Sequence, residues 1–282
     1  MRTYKPDSEA IMVKTASLDM ATLRWGESGP LVVLVHGFPD TARTWDALGP
    51  RIAAEGFRVV APFTRGYAPS SVPADGKYDS DTLAGDLVEL LDALGEQKAI
   101  LVGHDWGASA CLGAAALFPE RVERLATLAI PHPAVMKPTL GLLWGARHFI
   151  AYKLPGATKR FAKNDFAALE AIYKRWSPAF DWPASEFASA KNSFTSPGCL
   201  DAAFGYYRAL SPKLPLGMRK KITVPSLVVG GVSDPIASAA NFEASRRRYT
   251  GDVQVEMVRG GHFLHREYPD DFFEALLPFL KN

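Results

Sequence analysis

The stretch Ala99-Ile100-Leu101-Val102-Gly103-His104-Asp105-Trp106-Gly107-Ala108-Ser109-Ala110 decides the fold. Its first four residues are apolar and typical of a short buried strand, and its last residues are small enough to begin a tightly packed helix. Gly-x-Asp-x-Gly at such a junction indicates a nucleophile elbow, a sharp strand-to-helix turn that lifts its central side chain above the sheet. Taken alone, the motif is also compatible with an ordinary turn between a strand and a helix.

The two glycines of this motif have a steric reason. In an elbow the backbone is crowded, so the residues two before and two after the nucleophile must be small. Gly103 and Gly107 meet that requirement. The same turn points the backbone N–H of Trp106 toward the reacting atoms, where it can stabilise an oxyanion. The sequence therefore predicts Asp105 as nucleophile and Trp106 as an oxyanion-hole donor.

Further apolar runs alternate with helical patterns on both sides of the elbow. They occupy residues 31–35, 57–61, 125–130, 226–229 and 253–258. Between them, leucines from Leu83 to Leu94 recur at helical spacing, with Asp79 as a candidate N-cap and Gly95 as a candidate stop. This alternation predicts an α/β fold with a mostly parallel central sheet.

The alternation breaks between residues 132 and 216, which are rich in aromatic residues, Lys, Pro and Ser. Helical spacing at 167–176 predicts an inserted helical cap. The expected organisation is a core formed by residues 1–131 and 217–282, with a cap of residues 132–216. The following aromatic residues of this segment either line a pocket or fill a core: Trp144, Phe149, Phe204 and Tyr206.

Composition narrows the class of protein. The 282 residues are 48% hydrophobic with a formal net charge of +2, so a surface for nucleic acid or anionic membranes is not expected. No secretory signal or membrane-spanning run is evident, and the two cysteines, Cys111 and Cys199, cannot form a disulfide framework. We expect a cytoplasmic monomer or homodimer that acts on a small molecule without a metal or cofactor.

A candidate acid and a candidate base follow the elbow in the chain order nucleophile, acid, histidine. Asp234 follows the apolar run 226–229, and His262 lies in Gly260-Gly261-His262 after the next run. Alone, Asp234 could be a helix N-cap and His262 a loop imidazole. Their combination with Asp105 predicts a catalytic triad. His265 has no carboxylate or cysteine at metal-ligand spacing, so we assign it no catalytic role.

A second oxyanion donor is expected where the first central strand ends. His36-Gly37-Phe38-Pro39-Asp40 follows that strand directly, and the backbone N–H of Phe38 is the natural candidate. A simple Gly-Pro strand exit is the alternative on local grounds. No Gly-x-Ser-x-Gly occurs in the chain, which excludes the ordinary serine esterase elbow.

These motifs together resemble the α/β-hydrolase-fold epoxide hydrolase family. The matching segments are HGFPD, GHDWGA, GGVSDP and RGGHFLHREYP, which span both parts of the core. The resemblance implies a cis peptide before Pro39. It also implies that an Asp105 ester forms on an epoxide and is hydrolysed by water that His262, oriented by Asp234, activates.

The same resemblance implies two cap residues that protonate the leaving oxygen. Tyr207, in Phe204-Gly205-Tyr206-Tyr207-Arg208, looks like one family tyrosine, although it could be an aromatic packing residue. His148 stands where the second tyrosine is expected, and Tyr152 is nearby but out of step. His148 could donate a hydrogen bond or be a buried structural histidine.

Two other functions stay open at this stage. A haloalkane dehalogenase would share Asp105 and Trp106. Such enzymes have the pattern HGNP, whose Asn side chain donates to the halide, and Phe38 at that position cannot supply such a donor. The fluoroacetate dehalogenases carry Arg where this chain has Trp106. A non-catalytic ligand-binding homologue is the second alternative, and the presence of all three triad residue types argues against it.

Overall fold

The centre of the molecule is an eight-stranded sheet, seen in a computed structural model that describes residues 10–136 and 147–282. The strands are β1 (Ile11–Lys14), β2 (Asp19–Trp25), β3 (Leu31–Val35), β4 (Arg58–Pro62), β5 (Ala99–His104), β6 (Val122–Leu128), β7 (Ser226–Gly231) and β8 (Val253–Val258).

The strand order is β1-β2-β4-β3-β5-β6-β7-β8. Strands β3 to β8 run parallel, whereas β2 pairs antiparallel with both β1 and β4. β3 and β5 are buried along their whole length because helices cover both faces of a parallel sheet. The nucleophile elbow therefore starts from the middle of the sheet, where the backbone is most constrained.

Helices α1 (Gly49–Ala54), α2 (Ser80–Leu94) and α3 (Trp106–Leu117) accompany the first part of the sheet. In α2, the Asp79 carboxylate accepts hydrogen bonds from the N–H groups of Asp81 and Thr82, and Gly95 ends the helix at φ 74°. Both residues act as the sequence predicted, because each supplies a group or a conformation that a helix end requires. The last helix, Pro269–Lys281, follows the histidine loop.

The described residues between β6 and β7 form helices and turns without a strand. These helices are Arg147–Ala151, Ala157–Phe161, Lys163–Trp176, Ala188–Thr195, Cys199–Arg208 and Leu216–Arg219. They confirm the helical character expected of this segment. Trp144 lies outside the described residues.

The fold class expected from the sequence is confirmed, but several element boundaries were wrong. Runs 31–35 and 253–258 match β3 and β8, whereas the run 125–130 corresponds to β6 at Val122–Leu128. The apolar run continues to Ile130, but the strand ends at Leu128 because Ala129 takes a positive φ of 65°, which is why composition placed the end of β6 too late.

The antiparallel pair β1 and β2 was missed because neither strand has a long unbroken apolar run in its sequence. The edge strand β1 buries only Val13, and the buried residues of β2, Met20 to Leu23, include Thr22 and lie between the charged Asp19 and Arg24.

Candidate active site

Asp105 sits at the tip of the elbow between β5 and α3. Its backbone has φ 52° and ψ −118°, a conformation that L residues rarely adopt, and it precedes the first residue of α3. Such backbone strain is found at functional sites, where the surrounding structure holds it in place. The side chain of Asp105 keeps 15% of its surface exposed.

The glycines around Asp105 allow three backbone segments to meet. A Cβ on Gly103 would lie 2.4 Å from the carbonyl oxygen of Gly107, and a Cβ on Gly107 would lie 2.2 Å from that of Val35. These distances are far below van der Waals contact, so only glycine fits at both positions. The steric argument made from the sequence therefore holds, and it extends to Gly37, whose Cβ would meet the Asp105 side chain at 2.4 Å.

Asp234 and His262 lie beside Asp105 although they are far apart from it in sequence. Nδ1 of His262 is 3.0 Å from Oδ2 of Asp234, and Nε2 of His262 is 3.5 Å from Oδ2 of Asp105. The second distance is longer than an ordinary hydrogen bond, and Nε2 has no hydrogen-bond partner among the described residues. The imidazole is thus fixed on one side and directed toward Asp105 on the other.

The charges of the three residues are coupled. Burial disfavours the charged form of His262, but the negative charges of Asp234 and Asp105 outweigh burial and raise its pKa to about 10. Burial alone would raise the pKa of Asp105, yet its contact with His262 lowers it below the ordinary value. Asp105 is therefore ionised at neutral pH, with a protonated His262 beside it.

Phe38 lies on the other side of the Asp105 carboxylate. Its backbone N–H donates a hydrogen bond of 2.9 Å to Oδ1 of Asp105, and the peptide bond before Pro39 is cis, as the resemblance implied. Trp106 follows Asp105 directly as the first residue of α3. Phe38, in the loop after β3, and Trp106, at the start of α3, thus lie on either side of the carboxylate. These are the two residues predicted as oxyanion donors.

Tyr207 packs over this pair. Its ring lies edge-on to Phe38 at 5.2 Å and to Trp106 at 5.3 Å between centroids. Burial raises the pKa of Tyr207 well above its usual value, and the adjacent Trp106 side chain opposes part of that rise. The Tyr207 hydroxyl is therefore protonated at neutral pH and can donate its proton.

His148 and Tyr152 both border Tyr207. The centroid of Tyr152 is 4.9 Å from that of Tyr207, and the centroid of His148 is 5.5 Å away. Both are buried, and Tyr152 is stacked on Phe204 at 4.3 Å. Phe204 is thus a packing residue, and sequence spacing underestimated how near Tyr152 lies to Tyr207.

A cavity of about 400 Å³ reaches Asp105 and Trp106. Phe149 and Tyr206 line it, whereas Tyr207 and His148 are not among its lining residues. Its size falls within the range of about 300–1,000 Å³ that is typical of small-molecule sites. The cavity therefore gives a small molecule access to the Asp105 carboxylate.

Residues 30–269 match the family model for the alpha/beta hydrolase fold. This chain belongs to the α/β-hydrolase fold family.

Named relatives within the α/β-hydrolase family include epoxide hydrolases. The chain is 32% identical to the AB hydrolase superfamily protein YfhM of Bacillus subtilis, over 91% of this chain and 92% of that protein. It is 30% identical to Epoxide hydrolase A of Mycobacterium tuberculosis, over 95% and 96% of the two chains. The expected resemblance to epoxide hydrolases is confirmed, and with it the expectation of a hydrolase.

A solved structure shares the α/β-hydrolase architecture. The epoxide hydrolase of Bacillus megaterium in complex with an inhibitor superposes with a TM-score of 0.83 at 21% identity, covering 97% of this chain and 100% of that chain. Identity at this level supports the fold alone. Among the described residues, no helix combines the length and apolarity that crossing a membrane requires.

A polar cluster beneath the triad was missed by sequence reasoning. Asp40, His104 and His265 bring potential ligand atoms within 4.8 Å of one another. Asp40 already accepts hydrogen bonds from Thr44 at 2.9 Å, from Tyr173 at 2.5 Å and from Arg266, the last two belonging to distant segments. A divalent cation does not fit here because both carboxylate oxygens are engaged and the Arg266 guanidinium is adjacent.

His104 links this cluster to the triad, because its Nε2 hydrogen-bonds to the carbonyl oxygen of His262 at 2.9 Å. Burial lowers the pKa of His104 to about 4. A neutral His104 donates from Nε2 to that carbonyl, so it fixes the backbone that carries the His262 imidazole. The Asp40 that follows Pro39 in HGFPD was the sequence signal that could have revealed the network.

Proposed function

We propose that this α/β-hydrolase opens epoxides to vicinal diols through a covalent ester of Asp105. The observation that carries the proposal is the environment of one carboxylate. Oδ1 of Asp105 accepts the Phe38 N–H at 2.9 Å, Oδ2 faces Nε2 of His262 at 3.5 Å, and the group opens into an apolar cavity. Relatives named epoxide hydrolases align with most of this chain.

In the first step a carboxylate oxygen of Asp105 attacks an epoxide carbon and breaks its carbon–oxygen bond. Asp105 needs no base for this attack, because contact with His262 keeps its pKa low and the group ionised. The product of this step is an alkyl ester of Asp105 bearing a hydroxyl on the neighbouring carbon. The electron pair of the broken bond stays on the epoxide oxygen, which must be protonated.

Tyr207 is the proposed donor of that proton. Burial keeps its hydroxyl protonated, and its ring packs on Phe38 and Trp106, the residues on either side of the Asp105 carboxylate. His148, in ring contact with Tyr207, is the proposed second donor. Phe38 has no side-chain donor that could hold a halide, which favours an oxygen over a halide as the leaving group.

In the second step water attacks the ester carbonyl. Ester formation removes the negative charge of Asp105, which is one of the charges that raise the imidazole pKa. The protonated His262 can then release its proton, which by way of solvent restores the Tyr207 hydroxyl, and the neutral imidazole accepts one proton of the attacking water. Asp234 keeps the ring oriented, and the N–H groups of Phe38 and Trp106 stabilise the oxyanion. The intermediate collapses by breaking the bond between the acyl carbon and the diol oxygen, which takes the second proton of the attacking water, and the Asp105 carboxylate is regenerated.

A single turnover in ¹⁸O-water tests the mechanism. Ester hydrolysis at the acyl carbon leaves the attacking Asp105 oxygen in the product, so with enzyme in excess the first diol from styrene oxide should contain no ¹⁸O. The label should appear in the Asp105 carboxylate. ¹⁸O in the first diol would show direct attack by water and would contradict the covalent mechanism.

Two variants separate the remaining alternatives. His262→Gln should accumulate the ester, seen by mass spectrometry as an increase equal to the mass of styrene oxide, whereas Asp105→Ala should form neither ester nor diol. A 1-bromoalkane is incubated in parallel. Bromide release without diol would assign a dehalogenase, and unchanged styrene oxide bound to the wild-type protein would assign a ligand-binding protein.

The remaining proposals concern organisation. We propose that residues 132–216 act as a cap domain, because helix Cys199–Arg208 carries Tyr207 over Phe38 and Trp106. The cytoplasmic location and the monomeric or homodimeric state stay predictions from the sequence.

A further inference from the structure

The cavity that reaches Asp105 has almost entirely apolar walls. They come from segments that are distant in sequence: the loop after β6, helix Arg147–Ala151, and the segment that follows helix Cys199–Arg208. The apolar side chains of these segments that line the cavity include those of Ile130, Met136, Phe149, Leu210, Leu214 and Met218. Such walls favour binding of a hydrocarbon group, because the removal of apolar surface from water lowers the free energy.

The charged groups of the cavity have one sign. Among the described lining residues, the only charged side chains are the carboxylates of Asp105 and Asp79, and none is Lys or Arg. Lys153 comes near this region, but its ammonium donates to the carbonyl oxygen of Leu210 and does not line the cavity. An anionic substrate would therefore meet two carboxylates and no Lys or Arg among the described lining residues.

From this charge distribution we infer that the site takes neutral epoxides with an aryl or alkyl substituent and rejects epoxides that carry a carboxylate. The inference rests on the proposed function, because it concerns the same site. A carboxylate moved from water into this cavity loses hydration without gaining an ion pair. We expect kcat/KM for such a substrate to fall by at least about 100-fold relative to a neutral substrate of equal size.

Three styrene oxides with different para substituents test the inference with the wild-type enzyme. The carbamoyl compound is neutral and nearly isosteric with the carboxylate, and the methoxycarbonyl compound is a second neutral compound with a carbonyl substituent. Diol formation from both neutral compounds, with the carboxylate at least about 100-fold slower in kcat/KM, is the expected result. A carboxylate rate within threefold of the carbamoyl rate would overturn the inference and leave the proposed function intact. Failure to open any of the three would overturn the proposed function, and the inference with it.

Asp79→Asn tests whether the second carboxylate contributes to this selectivity. Asp79 caps α2, and Asn is an equally good N-cap, so the helix should keep its start. The ratio of the carboxylate rate to the carbamoyl rate should rise about tenfold in this variant, because one repelling charge is removed. An unchanged ratio, with unchanged thermal stability, would overturn the assignment of Asp79 as a determinant of charge selectivity.

Discussion

At the scale of single residues, the proposed chemistry depends on how Asp105 and His262 control each other's charge. In the free enzyme the imidazole lies 3.0 Å from Asp234 and 3.5 Å from Asp105. Burial opposes its positive charge, but the two carboxylates hold its pKa at about 10. His262 must be neutral when it accepts a proton from water, so Asp105 has to lose its negative charge before that step.

The pKa of His262 should therefore fall when Asp105 is neutralised. Asp105→Asn is isosteric and uncharged, and so stands in for the esterified residue. We expect the imidazole to titrate near pH 10 in the wild type and at least about one pH unit lower in the variant, measured by NMR of the histidine ring. Titration at the same pH in both proteins would contradict the coupling.

This shift has a consequence for stability. His262 has a folded-state pKa of about 10, above the value near 6.5 expected in the unfolded chain, so folding favours its protonated form. Its contribution to the free energy of unfolding is full below pH 6.5 and is lost as the pH rises toward 10. Urea unfolding at several pH values should show this loss in the wild type and a smaller one in His262→Gln.

Tyr207 is expected to act at the same scale. Tyr207→Phe removes the hydroxyl but keeps the ring that packs on Phe38 and Trp106. We expect kcat/KM for styrene oxide to fall by about 100-fold, the usual effect of losing a general acid, with little change in thermal stability. Tyr152→Phe is the matched control from the same aromatic cluster. A large loss in the control and none in Tyr207→Phe would assign the proton to Tyr152.

At the scale of secondary-structure elements, the elbow depends on close backbone contact, and α2 does not. Gly107 is the second residue of α3 and faces the Val35 carbonyl of β3, whereas Gly85 lies in the middle of α2, where a Cβ would have nothing within 4 Å. The two glycines therefore predict opposite responses to the same substitution.

Gly107→Ala should destabilise the protein by about 3 kcal/mol or prevent folding, because its Cβ would lie 2.2 Å from the Val35 carbonyl oxygen. Gly85→Ala should stabilise it by about 0.5–1 kcal/mol, because alanine is the better residue in an open helix interior. Chemical denaturation of both variants provides the measurement. Equal effects of the two substitutions would contradict the steric role of the elbow glycine.

At the scale of the whole molecule, the buried ion pair between Arg65 and Asp86 lies where segments of the core meet the helix that carries Tyr207. The Arg65 guanidinium makes two hydrogen bonds of 2.5 Å to Asp86 in α2, and the hydroxyl of Tyr206 donates to the Arg65 carbonyl oxygen at 2.8 Å. Both charged side chains are buried. The pair therefore connects the loop after β4 to α2 and to the helix that carries Tyr207.

Asp86→Ala should lower the free energy of unfolding by about 3–5 kcal/mol, because it leaves the Arg65 charge buried with its main partner removed. Asp75 also contacts Arg65, at 3.2 Å, but is 42% exposed. Asp75→Ala is the control and should cost no more than about 1 kcal/mol. Urea denaturation compares the two, and similar losses would contradict the importance of burial.

Local sequence alone determined much of this protein. The elbow glycines, the Asp79 cap and the Gly95 stop were predictable because each depends on the conformation of a few consecutive residues. Chain order and strand ends were enough to predict that Asp105, Asp234 and His262 would share one edge of the sheet. The antiparallel β1 and β2 escaped prediction because their pairing depends on a partner strand rather than on their own composition.

Tertiary structure alone decided the contacts between residues that are distant in sequence. It brought Asp40 to Tyr173 and Arg266, and it placed Tyr152 nearer to Tyr207 than His148 is. It also left the cavity at Asp105 without a lining Lys or Arg among the described residues. Side-chain packing and the local sign of charge depend on how separate helices meet, and sequence spacing within one segment carries no information about that meeting.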